Sequence, residues 1–189
     1  MFCGVDEAGK GAVLGPLVVA AVACKRLKDF EGVPVADSKT LSPAEREELY
    51  AIITERFRFT TLVIDARDID ILRRCGTMNL VMARSHAAVI KALRPKKAFV
   101  DACDVIAPRY GRTVASCLDF PCRVVAEHHA ADFFRRHNLR NTLLDLGKIL
   151  LAAGINQNCL MLIHDKISIA AEGGFVSIPQ PENAVAIRG

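Results

Sequence analysis

Apolar positions fall along the chain in short blocks that alternate with stretches of helical spacing. Residues 2–6 and 13–24 are β-branched and apolar and predict two strands, separated by the glycine-rich stretch Gly9-Lys10-Gly11. Ser42, Pro43 and Glu45 form a helix start signal, and Leu49, Ile52, Ile53 and Phe57 follow as an apolar stripe, so 42–57 predicts a helix. FTTLVIDA (59–66) predicts a strand. Residues 78–93 predict a second helix, with Met82, His86, Val89, Ile90 and Leu93 along one side and Arg94-Pro95 as its stop. KAFVD (97–101) and CRVVA (122–126) predict short strands, the first ending in Asp101. LLDLGKILLAA (143–153) has helical spacing up to Gly154, CLMLI (159–163) fits either a strand or a buried helix, and the tail around Pro179 and Pro181 reads as loop. Strands alternating with helices predict an α/β fold with a mixed sheet.

Composition narrows the class. A chain of 189 residues suits one compact domain, and 51% hydrophobic with 24% charged residues excludes a disordered or fibrous chain. Lys+Arg minus Asp+Glu is 25 − 21 = +4, which permits a polyanionic partner without requiring one. Trp is absent and Tyr occurs twice, so stacking platforms for single strands are scarce. The longest apolar run, Gly11 to Cys24, contains Pro16 and is too short to span a bilayer. Asp6 and Glu7 stand where a signal peptide carries positive charge, so the expected location is cytoplasmic, with no membrane attachment. The seven cysteines show no C-x-x-C pair and read as reduced, buried small hydrophobes, with no zinc site expected at finger spacing.

The densest chemistry lies in Gly4-Val5-Asp6-Glu7-Ala8-Gly9-Lys10-Gly11. Two carboxylates end an apolar strand beside glycines and a lysine. Gathering like charges there is costly unless a cation compensates, and hard divalent cations take oxygen ligands. Two other readings fit part of the pattern. A surface turn would leave both acids solvated, but the apolar flanks on each side weigh against it. A P-loop would use Gly4-x-x-x-x-Gly9-Lys10, but Gly11 replaces the hydroxyl that should follow, and Asp6 and Glu7 would repel a phosphate from the cradle.

The stretch GVDEAGKGAVLGPLVVAAV (4–22), with Asp37-Ser38-Lys39, Thr77-Met78-Asn79, FVDACD (99–104) and Glu127-His128, resembles the ribonuclease HII family in its archaeal form. The resemblance covers roughly residues 1–130. It implies an RNase H-like mixed sheet flanked by helices in a catalytic domain over 1–132. A divergent, mostly helical region over 133–189 is expected to pack on the same domain. It also implies a metal-dependent endonuclease that hydrolyses the RNA strand of RNA–DNA hybrids, including ribonucleotides within duplex DNA, leaving 5′-phosphate and 3′-hydroxyl ends. Position by position, Asp6, Glu7 and Asp101 match the first three catalytic acids and the ligands of Mg²⁺ or Mn²⁺. Gly9-Lys10-Gly11 matches the segment that contacts ribose 2′-hydroxyls, and Ser38 and Lys39 are expected near the substrate backbone. The protein is expected to work as a monomer.

Two departures stand out. The fourth acid of the family follows a Glu-His pair in a pattern like E-H-x-A-D. Here the run is Glu127-His128-His129-Ala130-Ala131-Asp132, so Ala131 holds the slot and Asp132, the candidate fourth catalytic acid, comes one place late. One residue on a helix is about 100° of rotation. The glycine-tyrosine-proline motif, whose Tyr stacks at the RNA–DNA junction, is absent, since no Tyr follows Tyr110. The alternative expectation is therefore a hybrid-binding protein with weak or lost turnover; a P-loop NTPase is the remote one.

Geometry sets one further question. Neighbours on a regular strand point to opposite faces, so Asp6 and Glu7 converge only through a bulge or through a backbone carbonyl. Among the other polar residues, Asp65, Asp68 and Asp70 read as helix caps around Ile69 and Asp104 as a solvated loop acid. His86 reads as a satisfied core histidine, and His128 and His129 as structural or supporting groups. Arg94–Lys97 and Arg135-Arg136 read as solvated basic faces, with Arg46 a candidate phosphate contact.

Overall fold

The computed structural model describes residues 1–10, 15–34, 41–128, 168–171 and 174–177. Strands β1 (Phe2–Ala8), β2 (Leu17–Cys24) and β3 (Arg58–Ile64) run antiparallel in succession. β4 (Lys97–Asp101) lies parallel to β1 on its other side, and β5 (Arg123–Glu127) parallel to β4. The short strands β6 (Ser168–Ala171) and β7 (Gly174–Ser177) extend the sheet from β3, giving the order β5-β4-β1-β2-β3-β6-β7. Every residue of β2 is buried, because strands cover both its edges and helices pack over both its faces; this is why its sequence is an unbroken apolar run. Beyond residue 128, the described segments are these two strands, where the sequence predicts a mostly helical region. The expected helix 143–153 and the 159–163 block lie outside the described residues.

Two apolar layers sandwich the sheet. On one face, Leu49 and Ile53 of α1 (Pro43–Arg56) and Phe30 of a 3-10 turn (Leu27–Phe30) meet Val18, Ala20 and Val22 of β2 and Phe99 of β4. α1 begins as predicted. Glu45 N–H donates to Ser42 Oγ at 3.3 Å, and Ser42 N–H donates to Glu45 Oε2 at 2.7 Å, satisfying two end amides reciprocally. The opposite face carries α3 (Met78–Leu93), whose bounds match the sequence expectation and whose Met82, His86, Val89, Ile90 and Leu93 are all buried. It ends where Arg94 takes a left-handed conformation, φ 48°, directly before Pro95. α2 (Ala66–Arg74) precedes it, capped by Asp65, whose side chain accepts from Asp68 N–H at 2.9 Å. Capping is thus the role of Asp65, as the sequence expected.

α4 (Ala107–Ser116) links β4 to β5 and has no counterpart in the sequence expectations. Its N-cap, Ile106, offers no capping side chain; instead Asp104 Oδ1 accepts from Ile106 N–H at 2.9 Å and binds the Arg109 guanidinium. Gly111 lets α4 press against β5, since a Cβ there would meet the Ala126 methyl at 3.2 Å. The cysteines divide differently from the expectation. Cys3 and Cys24 are buried, Cys103, Cys117 and Cys122 are half-buried, and Cys75 is exposed; these six are free thiols. No helix among the described residues is long and apolar enough to cross a membrane.

The packing of α1 predicts a contrast. Ile53 has no exposed surface, so Ile53→Ala should lower unfolding free energy by about 2–5 kcal/mol. Ile71→Ala, at a position 45% exposed, should change it by no more than about 0.5 kcal/mol. Urea denaturation midpoints of the two variants test this.

Candidate functional site

The parallel pairing of β1 with β4 decides where the acids meet. Gly4 lies opposite Phe99 and Val5 opposite Val100, so continuing that register sets Asp6 beside Asp101. Asp101 in turn pairs with Glu127 on β5. Register partners of a parallel ladder share a face, and neighbouring strands are about 4.8 Å apart. The alternation of buried residues makes that face the α1 side, the one that holds Phe99 and Val125. Three carboxylate residues therefore form a row across the carboxyl ends of three adjacent parallel strands, the position at which open α/β sheets bind ligands. Asp6 is only 2% exposed, and its Oδ1 accepts from Glu7 N–H at 2.8 Å. A row of carboxylates is a hard-oxygen donor set and fits a divalent cation such as Mg²⁺ or Mn²⁺.

Glu7 does not join that row through its side chain. The pairing of β1 with β2 is unbroken from Phe2↔Cys24 to Ala8↔Val18, so no bulge rotates Glu7 toward Asp6. Its carboxylate points to the α3 face instead. There Cys103 Sγ–H donates to Glu7 Oε1 at 3.0 Å, and Glu7 Oε2 lies 3.2 Å from His86 Nε2. His86 Nδ1 is 3.1 Å from the Tyr110 hydroxyl, with the two rings edge to face. Burial pushes the Glu7 carboxyl up, but the adjacent His86, the Cys103 thiol and the Lys10 charge outweigh it and hold it below its ordinary value. Burial, and then the Glu7 charge, push the Cys103 thiol up to about 12. Tyr110 is raised far above the ordinary phenol range, first by burial and then by Cys103.

Gly9 adopts φ 89°, and a Cβ there would collide with the carbonyl oxygen of Pro16, so this turn accepts only glycine. Lys10 reaches over the strand end, its Nζ donating to Cys103 O at 3.2 Å. Gly11, Ser38, Lys39 and Asp132 lie outside the described residues. Arg46 donates to Leu41 O at 2.8 Å in the first turn of α1. His128 Nε2 lies 3.2 Å from Val105 O and so tethers the loop that precedes α4. Asp104 is not a solvated loop acid, being held by Arg109 and the amide of Ile106. The segment Gly4–Ala8 is strand throughout, which is not the loop that a phosphate cradle needs.

Comparison with known proteins meets the same residues. The family model described as Ribonuclease HII matches residues 3–134, about 70% of the chain, and takes in β1–β5 except for Phe2. The chain belongs to the ribonuclease HII family. Among its relatives, the ribonuclease HII of Methanoregula boonei is 51% identical over 130 residues, which are 69% of this chain and 61% of that protein. The ribonuclease HII of Methanospirillum hungatei is 51% identical over 134 residues, 71% of this chain and 63% of that protein. The chain thus spans about three fifths of the length of the curated relatives it matches. Among solved structures, the ribonuclease HII in complex with PCNA from Archaeoglobus fulgidus superposes with TM-score 0.73 at 35% identity, over 83% of this chain and 72% of that one. The ribonuclease H2 of Pyrococcus horikoshii gives TM-score 0.70 at 27% identity, over 82% and 72%. The fold is RNase H-like, as the sequence resemblance implied.

Sequence reasoning missed two features of the site. In the sequence Glu127 stands out only as part of a Glu-His pair, yet it extends the acid row. His86 is buried in the core as expected, but it is not a fully satisfied histidine: its Nδ1 meets the Tyr110 hydroxyl, while its Nε2 faces the Glu7 carboxylate at 3.2 Å without a directed hydrogen bond. Neither was legible one strand or helix at a time, because both depend on which elements are neighbours. The depressed Glu7 carboxyl gives a test on metal-free protein. A lowered folded pKa contributes stability above the ordinary value of 4.5, and that contribution disappears as pH falls through the folded pKa. Glu7→Gln should therefore lose stability most at neutral pH and show a shallower acid decline than the parent, read as urea midpoints at stepped pH in the presence of a chelator.

Proposed function

We propose that this protein is a metal-dependent endonuclease that hydrolyses the RNA strand of RNA–DNA hybrids and cuts at ribonucleotides within duplex DNA, leaving 5′-phosphate and 3′-hydroxyl ends. The observation that carries this reading is the alignment of Asp6 with Asp101 at the carboxyl ends of adjacent parallel strands, in a chain of the ribonuclease HII family. Asp6 and Asp101 would hold Mg²⁺ or Mn²⁺ by their side chains and Glu7 by its backbone carbonyl, with Asp132 as the fourth acid. When bound, such ions supply Lewis-acid stabilisation of phosphate charge and lower the pKa of water.

The remaining work falls to the chain itself. Gly9 is required by the turn itself, where a Cβ would strike the Pro16 carbonyl, and the amides of Gly9-Lys10-Gly11 would recognise the 2′-hydroxyl of a ribose. Lys10, whose Nζ reaches Cys103 O across the strand end, would pair with a phosphate without reading sequence. Ser38 and Lys39 would contact the phosphate backbone of the substrate. The net charge of +4 favours the approach of a polyanion, and the reading keeps the protein cytoplasmic.

A second reading, binding without turnover, has one specific support: Ala131 occupies the family's slot for the fourth acid. One labelled hybrid duplex separates the two by measuring retention and cleavage together. Under the leading reading, the unaltered chain cleaves in Mg²⁺ or Mn²⁺, and Asp6→Asn or Asp101→Asn lowers the rate by about 100-fold or more while retaining the duplex. Asp132→Asn lowers it too if that acid serves. Retention without cleavage by the unaltered chain would establish the second reading. Cleavage by Asp6→Asn at the parental rate would remove the leading one.

A further inference from the structure

We propose that Glu7, His86 and Cys103 form a second metal site, of softer character, that takes Zn²⁺ on the α3 face of the sheet. Three segments far apart in sequence, the end of β1, the middle of α3 and the loop after β4, bring one oxygen, one nitrogen and one sulfur donor to a single point. Their ligand atoms all lie within 4.8 Å of one another. Tetrahedral zinc, with bonds of about 2.0–2.3 Å, needs donors roughly 3.3–3.8 Å apart, so small side-chain shifts suffice.

The site already has the features of a ligand shell. His86 is wholly buried, and its Nε2 faces Glu7 Oε2 at 3.2 Å without the directed geometry of a hydrogen bond for either atom. On the other side of the ring, Nδ1 meets the Tyr110 hydroxyl at 3.1 Å, the kind of outer contact that orients a ligating histidine. The donor set decides the ion. Thiolate and imidazole favour Zn²⁺ over Mg²⁺, which prefers oxygen alone. Binding would release the Cys103 thiol proton to solvent and form Zn–S, Zn–N and Zn–O bonds, leaving a fourth position open toward the half-exposed Cys103 side. The three side chains lie on the opposite face of the sheet from the Asp6–Asp101 row; the two sites share only Glu7, which gives its carboxylate to this one and, under the proposed function, its backbone carbonyl to the other, and this site does not depend on cleavage of any substrate.

Co²⁺ is the spectroscopic stand-in for zinc, since a cobalt–thiolate bond gives a near-ultraviolet charge-transfer band. Titrating the chain with Co²⁺, without nucleic acid, should raise that band to a plateau whose intensity corresponds to one cobalt–thiolate bond per chain, whatever cobalt the acid row also takes up, and Zn²⁺ should bleach it. Cys103→Ser, with every other cysteine retained, should abolish the band. His86→Gln should weaken binding strongly, and Tyr110→Phe, which removes only the outer contact, should weaken it roughly 10–100-fold. Circular dichroism of each variant verifies folding. No band in the parent chain, or a band that survives Cys103→Ser, overturns the proposal.

Discussion

The parallel pairing of β1 with β4 is the constraint on which the site depends. Like charges on adjacent strands repel, and nothing in the local sequence of either strand would bring Asp6 and Asp101 together. They meet because Cys3 and Val5 on β1, and Ala98 and Val100 on β4, bury the same face against α3 and α4. That burial fixes the register. A slip by one residue would turn every one of these side chains to the other face. Asp6 and Asp101 lie one residue past the last β1–β4 pair, Val5 with Val100, at the point where that ladder ends. Hydrophobic packing beneath the strands thus determines electrostatics at their tips.

The same alternation explains why two consecutive acids do different work. Because β1 stays paired with β2 through Ala8, Asp6 and Glu7 are committed to opposite faces. Asp6 stands in the hard-oxygen row. Glu7 enters a polar cluster with Cys103, His86 and Tyr110. A buried carboxylate is costly unless surrounded by donors or positive charge. The position of His86, halfway along an otherwise apolar helix face, is a consequence of that requirement. The two acids remain linked, since the amide of Glu7 donates to the carboxylate of Asp6.

Much of this was legible in the sequence, and the parts that were not share a cause. α1 announces itself through Ser42 and Glu45, and α3 through an apolar stripe long enough to define its period. Asp6 and Asp101 were recognisable because each closes an apolar strand. α4 was hidden: ten residues with Gly111 in the middle, two arginines on an exposed side and no capping side chain at Ile106 give no local helix signal. Its helix is held by packing against β5 and by Asp104, which are tertiary facts. Cys103 misled for a similar reason. In sequence it reads, with the other cysteines, as a small buried hydrophobe, whereas in the fold its thiol points at a carboxylate ninety-six positions away.

The arrangement also bears on why a strand end carries Asp-Glu rather than a single acid. If Glu7 were apolar, His86 would be left with a buried ring nitrogen facing hydrocarbon, at a cost of roughly 1–3 kcal/mol. If His86 were apolar, the carboxylate would face the core with only Cys103 and Lys10 to offset it. Each polar group is therefore tolerated only because the others are present, and the set behaves as a unit. Such a unit, anchored to β1 one residue after Asp6, ties the end of the strand to α3 and to the loop after β4, beside the acid row. The polar cluster beneath the sheet and the carboxylates above it are two sides of one structural commitment, made by the pairing of a single strand.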